Sequence, residues 1–218
     1  MTPPPHSPAE PAGFPPSSLS SSPFTSEALT PQTVLDFWFS EAMSKRWFTG
    51  GKDLDDDIRS RFGAQVAEAL AGGLGEWEAS PLDRLALVIL LDQFPRNIHR
   101  GKAQAFAGDT RAQQLVQGAL GQGMDGKLPW LSRMFLYMPL MHAEDLPLQE
   151  EGVRRFRQLA ADAPEELRAT LTSSLRFAEQ HRDIIARFGR FPYRNKALDR
   201  SSTTPELDFL KNGPRFGQ

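Results

Sequence analysis

Hydrophobic positions recur at helical spacing along most of this chain. From Asp53 to Ala71, Leu54, Ile58, Phe62, Val66 and Leu70 fall every fourth residue, which lines one face of a helix that Gly72-Gly73 ends. Leu85 to Leu91 contains no polar side chain. Such a run suits a buried strand or a buried helix; the start box Ser80-Pro81-Leu82-Asp83, with Ala86 and the leucine content, favours a central buried helix. Thr30-Pro31 gives a cap and first-turn proline before "QTVLDFWF". Asp109 reads as the cap of "TRAQQLVQGAL", which Gly121 stops, and Pro129 as the start of "WLSRMFLYM". Residues 146–161 form another helix. Asp162-Ala163-Pro164-Glu165 opens the longest, to about Phe188, and Thr203-Thr204-Pro205-Glu206 opens a short last one closed by Gly213-Pro214. Nothing alternates with the period of a strand. The pattern predicts an all-α fold of about eight or nine helices, stacked as antiparallel pairs, with residues 31–218 as a single domain.

Composition changes this picture at one end. Residues 1–30 are rich in Pro and Ser, contain Glu10 and Glu27 and no Lys or Arg, and cannot bury enough apolar surface to offset the entropy of ordering. They read as a disordered tail; a polyproline docking segment is the alternative. The same residues lack the basic start and apolar middle of a secretory signal, and no stretch is long and apolar enough to cross a bilayer, so the expected location is cytoplasmic with no membrane partner. Cysteine is absent, which excludes disulfides, thiolate metal sites and a cysteine nucleophile. A net charge of −2 leaves no global nucleic-acid footprint. A repeat near 34 residues is not legible.

What does recur is a polar phrase. Phe94-Pro95-Arg96-Asn97 follows the apolar run through Asp92-Gln93, and Phe191-Pro192-Tyr193-Arg194-Asn195 follows the long helix. Proline lacks an amide hydrogen and disfavours a helical residue before it, so Pro95 and Pro192 are each expected to end a helix. Arg96 and Arg194 would then sit at helix C-termini, where free carbonyls favour a cation, and Asn97 and Asn195 suit the turns. Asp92 does not fit so easily. A carboxylate in the last turn meets the wrong end of the helix dipole, and after a buried run it also pays for desolvation. It needs a cation: Arg96, Arg100 or an arginine of the second phrase, either as a structural lock between helix ends or as part of a binding site.

Other candidates surround these. Residues 176–200 hold seven basic side chains, Arg190, Arg194 and Arg200 among them, against Glu179, Asp183 and Asp199, with Phe188, Phe191 and Tyr193 interleaved. A solvated face with core phenylalanines accounts for that better than nucleic-acid binding. His181 shares a helix stripe with Phe177, Ile184 and Phe188, as a core histidine or as a base facing a pocket. His142, Glu144, Asp145 and Gln149 lie between Pro139 and Pro147, where a broken segment would let His142 and Glu144 converge. Neither His-Glu-x-x-His nor Glu-x-x-His occurs, so no dedicated metal site is expected, and phosphate-loop, dinucleotide and nucleophile-elbow signatures are also missing.

In combination, "VLDFWF" (34–39), "LDQFPRNIHRG" (91–101), "AFAGD" (105–109), "FLYMPLMHAED" (135–145), Gln149, His181 and "RFGRFPYRN" (187–195) resemble the bacterial proteins grouped as domain of unknown function 924, from about residue 31 to the C-terminus. The resemblance implies a helical, tetratricopeptide-like fold and no activity. It marks Asp92, Gln93, Arg96, Asn97, Arg100, Asp109, His142, Glu144, Gln149, His181, Arg190, Arg194 and Asn195 as matching polar positions. Tyr193 departs from it, standing where a histidine is expected, which removes one possible ligand or acid–base group.

Three functional readings follow. The leading one is a binding module that takes a small anionic molecule or a peptide carboxylate, without a cofactor, in a polar pocket lined by Asp92, Arg96, His142, Glu144, His181 and Arg194. The second is a metal-independent hydrolase or transferase with His142 or His181 as general base. The third is a scaffold in which the polar phrases are only locks.

Overall fold

The computed structural model describes residues 29–214 and 216. Among these residues every regular element is helical. In chain order they are α1 (Pro31–Trp38), α2 (Glu41–Ser44), α3 (Lys52–Leu70), α4 (Pro81–Val88), α5 (Phe94–Ile98), α6 (Asp109–Gly121), α7 (Trp130–Met141), α8 (Leu146–Ala161), α9 (Glu165–Phe188) and α10 (Thr204–Asn212), with short 3₁₀ turns between several of them. The tail expected over residues 1–30 lies, as far as residue 28, outside the described residues.

Local chemistry sets most of the boundaries. Thr30, Ser80 and Thr203 cap α1, α4 and α10 through their side-chain oxygens, and Thr203 and Glu206 form a reciprocal capping box. α9 ends on Gly189, whose φ of 69° is the left-handed C-terminal conformation that glycine accepts without strain.

α4 and the turn after it are the hub. α1, α3, α6 and α7 all pack around them, while α8 lies between α7 and α9. Every residue from Leu85 to Leu91 is at most 1% exposed. Burying each large aliphatic side chain of this kind contributes about 1.5–3 kcal/mol. Trp38 meets Phe94 and Phe135 edge-on at 5.5 and 5.3 Å, and Phe62 lies 4.9 Å from Phe94. A smaller cluster, Ile184, Ile185 and Phe191 with Phe188, Tyr193, Phe209 and Phe216 around it, closes the other end.

Pro95 does not end a helix. α4 passes into a π-helical turn, Ile89–Gln93, in which Phe94 N–H reaches back to the Ile89 carbonyl, and α5 then runs on through Pro95 to Ile98. The physical reason lies in the hydrogen bonds. A proline interrupts the bond to the carbonyl four residues back, here Leu91, and crowds it; the wider π turn relieves that crowding. Gly108 packs against the same carbonyl, so closely that a Cβ there would fall 2.2 Å from the Leu91 oxygen. Pro192 likewise does not stop α9, which Gly189 has already ended; it begins a 3₁₀ turn, Pro192–Arg194. Pro139 lies inside α7 without breaking it before Met141.

Candidate functional site

The two phrases meet. The π turn carries Asp92, α5 carries Arg96, α6 begins with Asp109, α7 ends at His142, and the 3₁₀ turn after α9 supplies Arg194. Asp92 is fully buried. Its carboxylate accepts from Nδ1–H of His142 at 2.8 and 3.0 Å and from Gln93 Nε2 at 2.6 Å, and lies 3.2 Å from Arg96 Nη1. Arg96 also donates to the Asp92 carbonyl at 2.6 Å, covering a main-chain oxygen of the π turn. Arg96 lies in the last turn of the short α5, beyond the π turn, rather than at the end of α4.

The partner common to both phrases is Asp109. Arg96 Nη1 lies 2.9 Å from Asp109 Oδ1, and Arg194 Nη1 donates to Oδ2 at 3.0 Å. Asp109 was expected to cap α6; instead it is the first helical residue, with no side-chain cap, because two buried guanidinia claim its oxygens. Arg194 reaches the His142 carbonyl as well, at 3.0 Å, and its guanidinium lies 4.5 Å from the rings of both Phe106 and Phe191. Its Nε is buried and meets no hydrogen-bond acceptor among the described residues.

The electrostatics follow from burial. Desolvation works to raise the Asp92 carboxyl, but Arg96 and then His142 outweigh it, so the acid stays ionised. Burial lowers the basicity of His142 despite Asp92 beside it, and lowers His181 to about 3, with His142 adding to the effect. Both imidazoles are thus held below their ordinary value of 6.5 and are mainly uncharged at pH 7. Nδ1–H of His181 donates to the Phe177 carbonyl at 2.7 Å. The two rings, 6.0 Å apart, are thus held in the same tautomer, each keeping its lone pair on Nε2. Chemically, a buried carboxylate orienting an imidazole prepares Nε2 to accept a hydrogen bond or a proton.

The remaining candidates brace the surroundings. Glu144 does not join His142. It takes a two-pronged bond from Arg200 at 2.6 and 2.9 Å and accepts the Phe191 N–H at 2.7 Å, tying α7 to the second phrase. Arg190 forks onto Glu206 at 2.6 and 2.9 Å, which holds that carboxyl down at about 2. Asn195, buried, joins Ser202 and accepts from Arg200, both at 3.0 Å. Gln149 donates to the Met141 and Ala143 carbonyls, covering the end of α7. Asn97 and Arg100 turn the other way, onto Asp55 of α3. Sequence reasoning took Arg200 only as one charge in a basic stretch, Glu206 only as a helix start, Phe106 only as part of "AFAGD", and Asp55 not at all. The one available signal was arithmetic: two arginines in matching phrases needed a second buried acid, and "AFAGD" supplies it.

Among the described residues no group of three or more His, Asp or Glu side chains is placed to hold a metal, and no helix is long and apolar enough to cross a membrane. Two cavities, about 270 Å³ beside Arg84 and Arg111 and about 540 Å³ between α1 and the start of α7, are lined by none of the cluster residues.

No curated protein matches the sequence. A solved structure of a protein of unknown function from Agrobacterium tumefaciens is similar, with 34% identity and a TM-score of 0.74 over 84% of this chain and 97% of that one. The sequence pattern of the bacterial proteins of unknown function DUF924 matches residues 34–214. With its helical architecture and its joined phrases on that span, the chain belongs to the DUF924 family.

Proposed function

We propose that the protein is a helical binding module, with residues 31–218 forming one tetratricopeptide-like unit, and that it holds a small polar ligand at the imidazole pair of His142 and His181. The observation that carries this reading is the fixed tautomer of both rings: each spends its N–H on the protein and keeps an unshared acceptor. The ligand contributes a hydroxyl or N–H to Nε2 and an acceptor oxygen to the unpartnered Nε of Arg194. Two arginines face two aspartates, so the cluster has no surplus cation, and a carboxylate ligand is held by directed hydrogen bonds rather than by net charge.

That same balance favours a second reading, in which the cluster is only a lock and has no ligand. A thermal-shift screen with small 2-hydroxy acids such as lactate separates them. A ligand at a hundred times its dissociation constant stabilises by about 2.7 kcal/mol, which raises the melting temperature of the wild-type chain. His142→Ala removes that rise if the imidazole pair is the site. The lock reading stands if no such compound shifts the wild type, or if His142→Ala shifts equally.

A further inference from the structure

His181 carries an aromatic ring on its face. Phe216, beyond the end of α10, stacks on the imidazole with centroids 3.8 Å apart and planes 23° from parallel. Phe177 and Tyr193 meet the Phe216 ring edge-on at 6.1 and 6.0 Å. Phe191, fully buried, backs the arrangement, 5.5 Å from His181 and 5.2 Å from Tyr193. The walls come from α9 and from the 3₁₀ turn that follows it, and ion pairs of Arg190 with Glu206 and Arg200 with Glu144 hold that turn in place independently of Phe216. Phe216 itself is held at a φ of 47°, the left-handed region that side chains other than glycine rarely adopt.

We propose that this aromatic cradle is a binding site for the flat ring of an external ligand, and that Phe216 occupies it as the chain's own competitor. The proposal rests on the reading of the imidazole pair as a ligand site and names the ligand's class: a small polar molecule bearing an aromatic ring. Offset stacking on a neutral imidazole, with ring edges from Phe177 and Tyr193, suits an uncharged arene face. The polar groups of the same ligand would lie toward His142.

A self-occupied site binds with an affinity reduced by the fraction of time it is open. Calorimetry with phenyllactate and lactate on the full chain tests this, using wild type, Phe216→Ala and Phe216→Leu, the last keeping apolar bulk should the alanine variant fail to fold. The expected result is phenyllactate binding at least about tenfold tighter to either variant than to wild type, with lactate binding unchanged. Phenyllactate affinity equal across the three proteins overturns the cradle, and if lactate still binds in that case the imidazole reading survives alone. Phenyllactate tightening in the variants without any lactate binding leaves the cradle standing and removes the imidazole pair as its polar half. Binding of neither compound to any of the three overturns both.

Discussion

The two Phe-Pro phrases share residues but not structure. The first lies inside a helical run: a π turn carries Asp92, and Pro95 takes an early position in α5. The second follows a glycine-terminated helix and forms a 3₁₀ turn. The asparagines go to opposite sides, Asn97 to Asp55 and Asn195 to Ser202 and Arg200. Only the arginines agree, and they agree because one carboxylate, Asp109, takes a guanidinium from each. A repeated phrase can therefore specify a shared partner without specifying a repeated fold. What is duplicated is a cation placed by a rigid turn, and each turn gains its rigidity by a different route.

Removing the shared partner breaks the comparison most severely. Asp109→Ala leaves two buried guanidinia short of a carboxylate, and breaking a buried pair costs about 3–5 kcal/mol. Urea denaturation should show at least that loss. Arg96→Ala and Arg194→Ala should each destabilise, and the double variant should cost less than the two together, since either arginine alone depends on the same acid. The coupling expected between residues of one network is about 0.5–3 kcal/mol. Strict additivity would mean that the two phrases are energetically separate despite their common contact.

Acid should weaken the side of the cluster that the histidines occupy. Folding holds both His142 and His181 below the ordinary value, His142 through burial and His181 down to about 3 through burial and then the neighbouring His142. In the unfolded chain a histidine takes up a proton near pH 6.5. Below that pH the unfolded state binds more protons, so stability is complete above about 6.5 and declines as pH falls, for His181 down toward about 3. The slope is about 1.4 kcal/mol per pH unit for each ring that stays neutral. Denaturation midpoints from pH 7 to 5.5, above the pH of about 5 at which carboxylates paired in the fold begin to lose their contribution, follow the effect. His181→Gln should flatten the slope; an unaltered slope would show that His181 ionises as freely folded as unfolded.

The parts of the molecule legible in the sequence are those decided locally. Ser80 and Thr203 cap because their side chains reach amides three residues on, and Leu85 to Leu91 is buried because it has nothing polar to expose. The π turn was not legible: Pro95 signals an interrupted helix, but the close approach of Gly108, distant in sequence, to the Leu91 carbonyl beside it does not show in the sequence. Nor was the role of Asp109, since the local reading of an acid at a helix start is a cap, and two distant arginines outcompete it. Of the candidate site, the need of Asp92 for a cation was readable, with Arg96 among its candidates; that His142 is its other partner, that Arg194 goes to Asp109, and that Asn97 and Arg100 face away onto Asp55 were not. Gly108→Ala tests the first of these gaps. Its methyl would strike main-chain atoms, and overpacking of this kind costs about 1–3 kcal/mol. Amide exchange should quicken over residues 89–98 and not over 192–195; equal quickening of both would mean that the π turn and the second phrase yield as one unit.

The smallest expected difference lies between the two asparagines. Each makes hydrogen bonds of a kind that contribute about 0.5–1.5 kcal/mol net. Asn97 is only partly buried, and when it is lost Asp55 still has Arg100 at 3.1 Å. Asn195 is 1% exposed, and its loss leaves the hydroxyl of Ser202 and the Nε of Arg200 each without the partner it has at 3.0 Å. A donor or acceptor stranded away from water costs more than the bond itself contributed. Asn195→Ala should thus destabilise by about 1–3 kcal/mol and Asn97→Ala by less than about 1 kcal/mol. The same residue in the same phrase then differs in worth because one copy closes a buried network and the other supplements a half-buried ion pair that stands without it. Equal losses in denaturation midpoint would remove that distinction and make the two turns energetically alike.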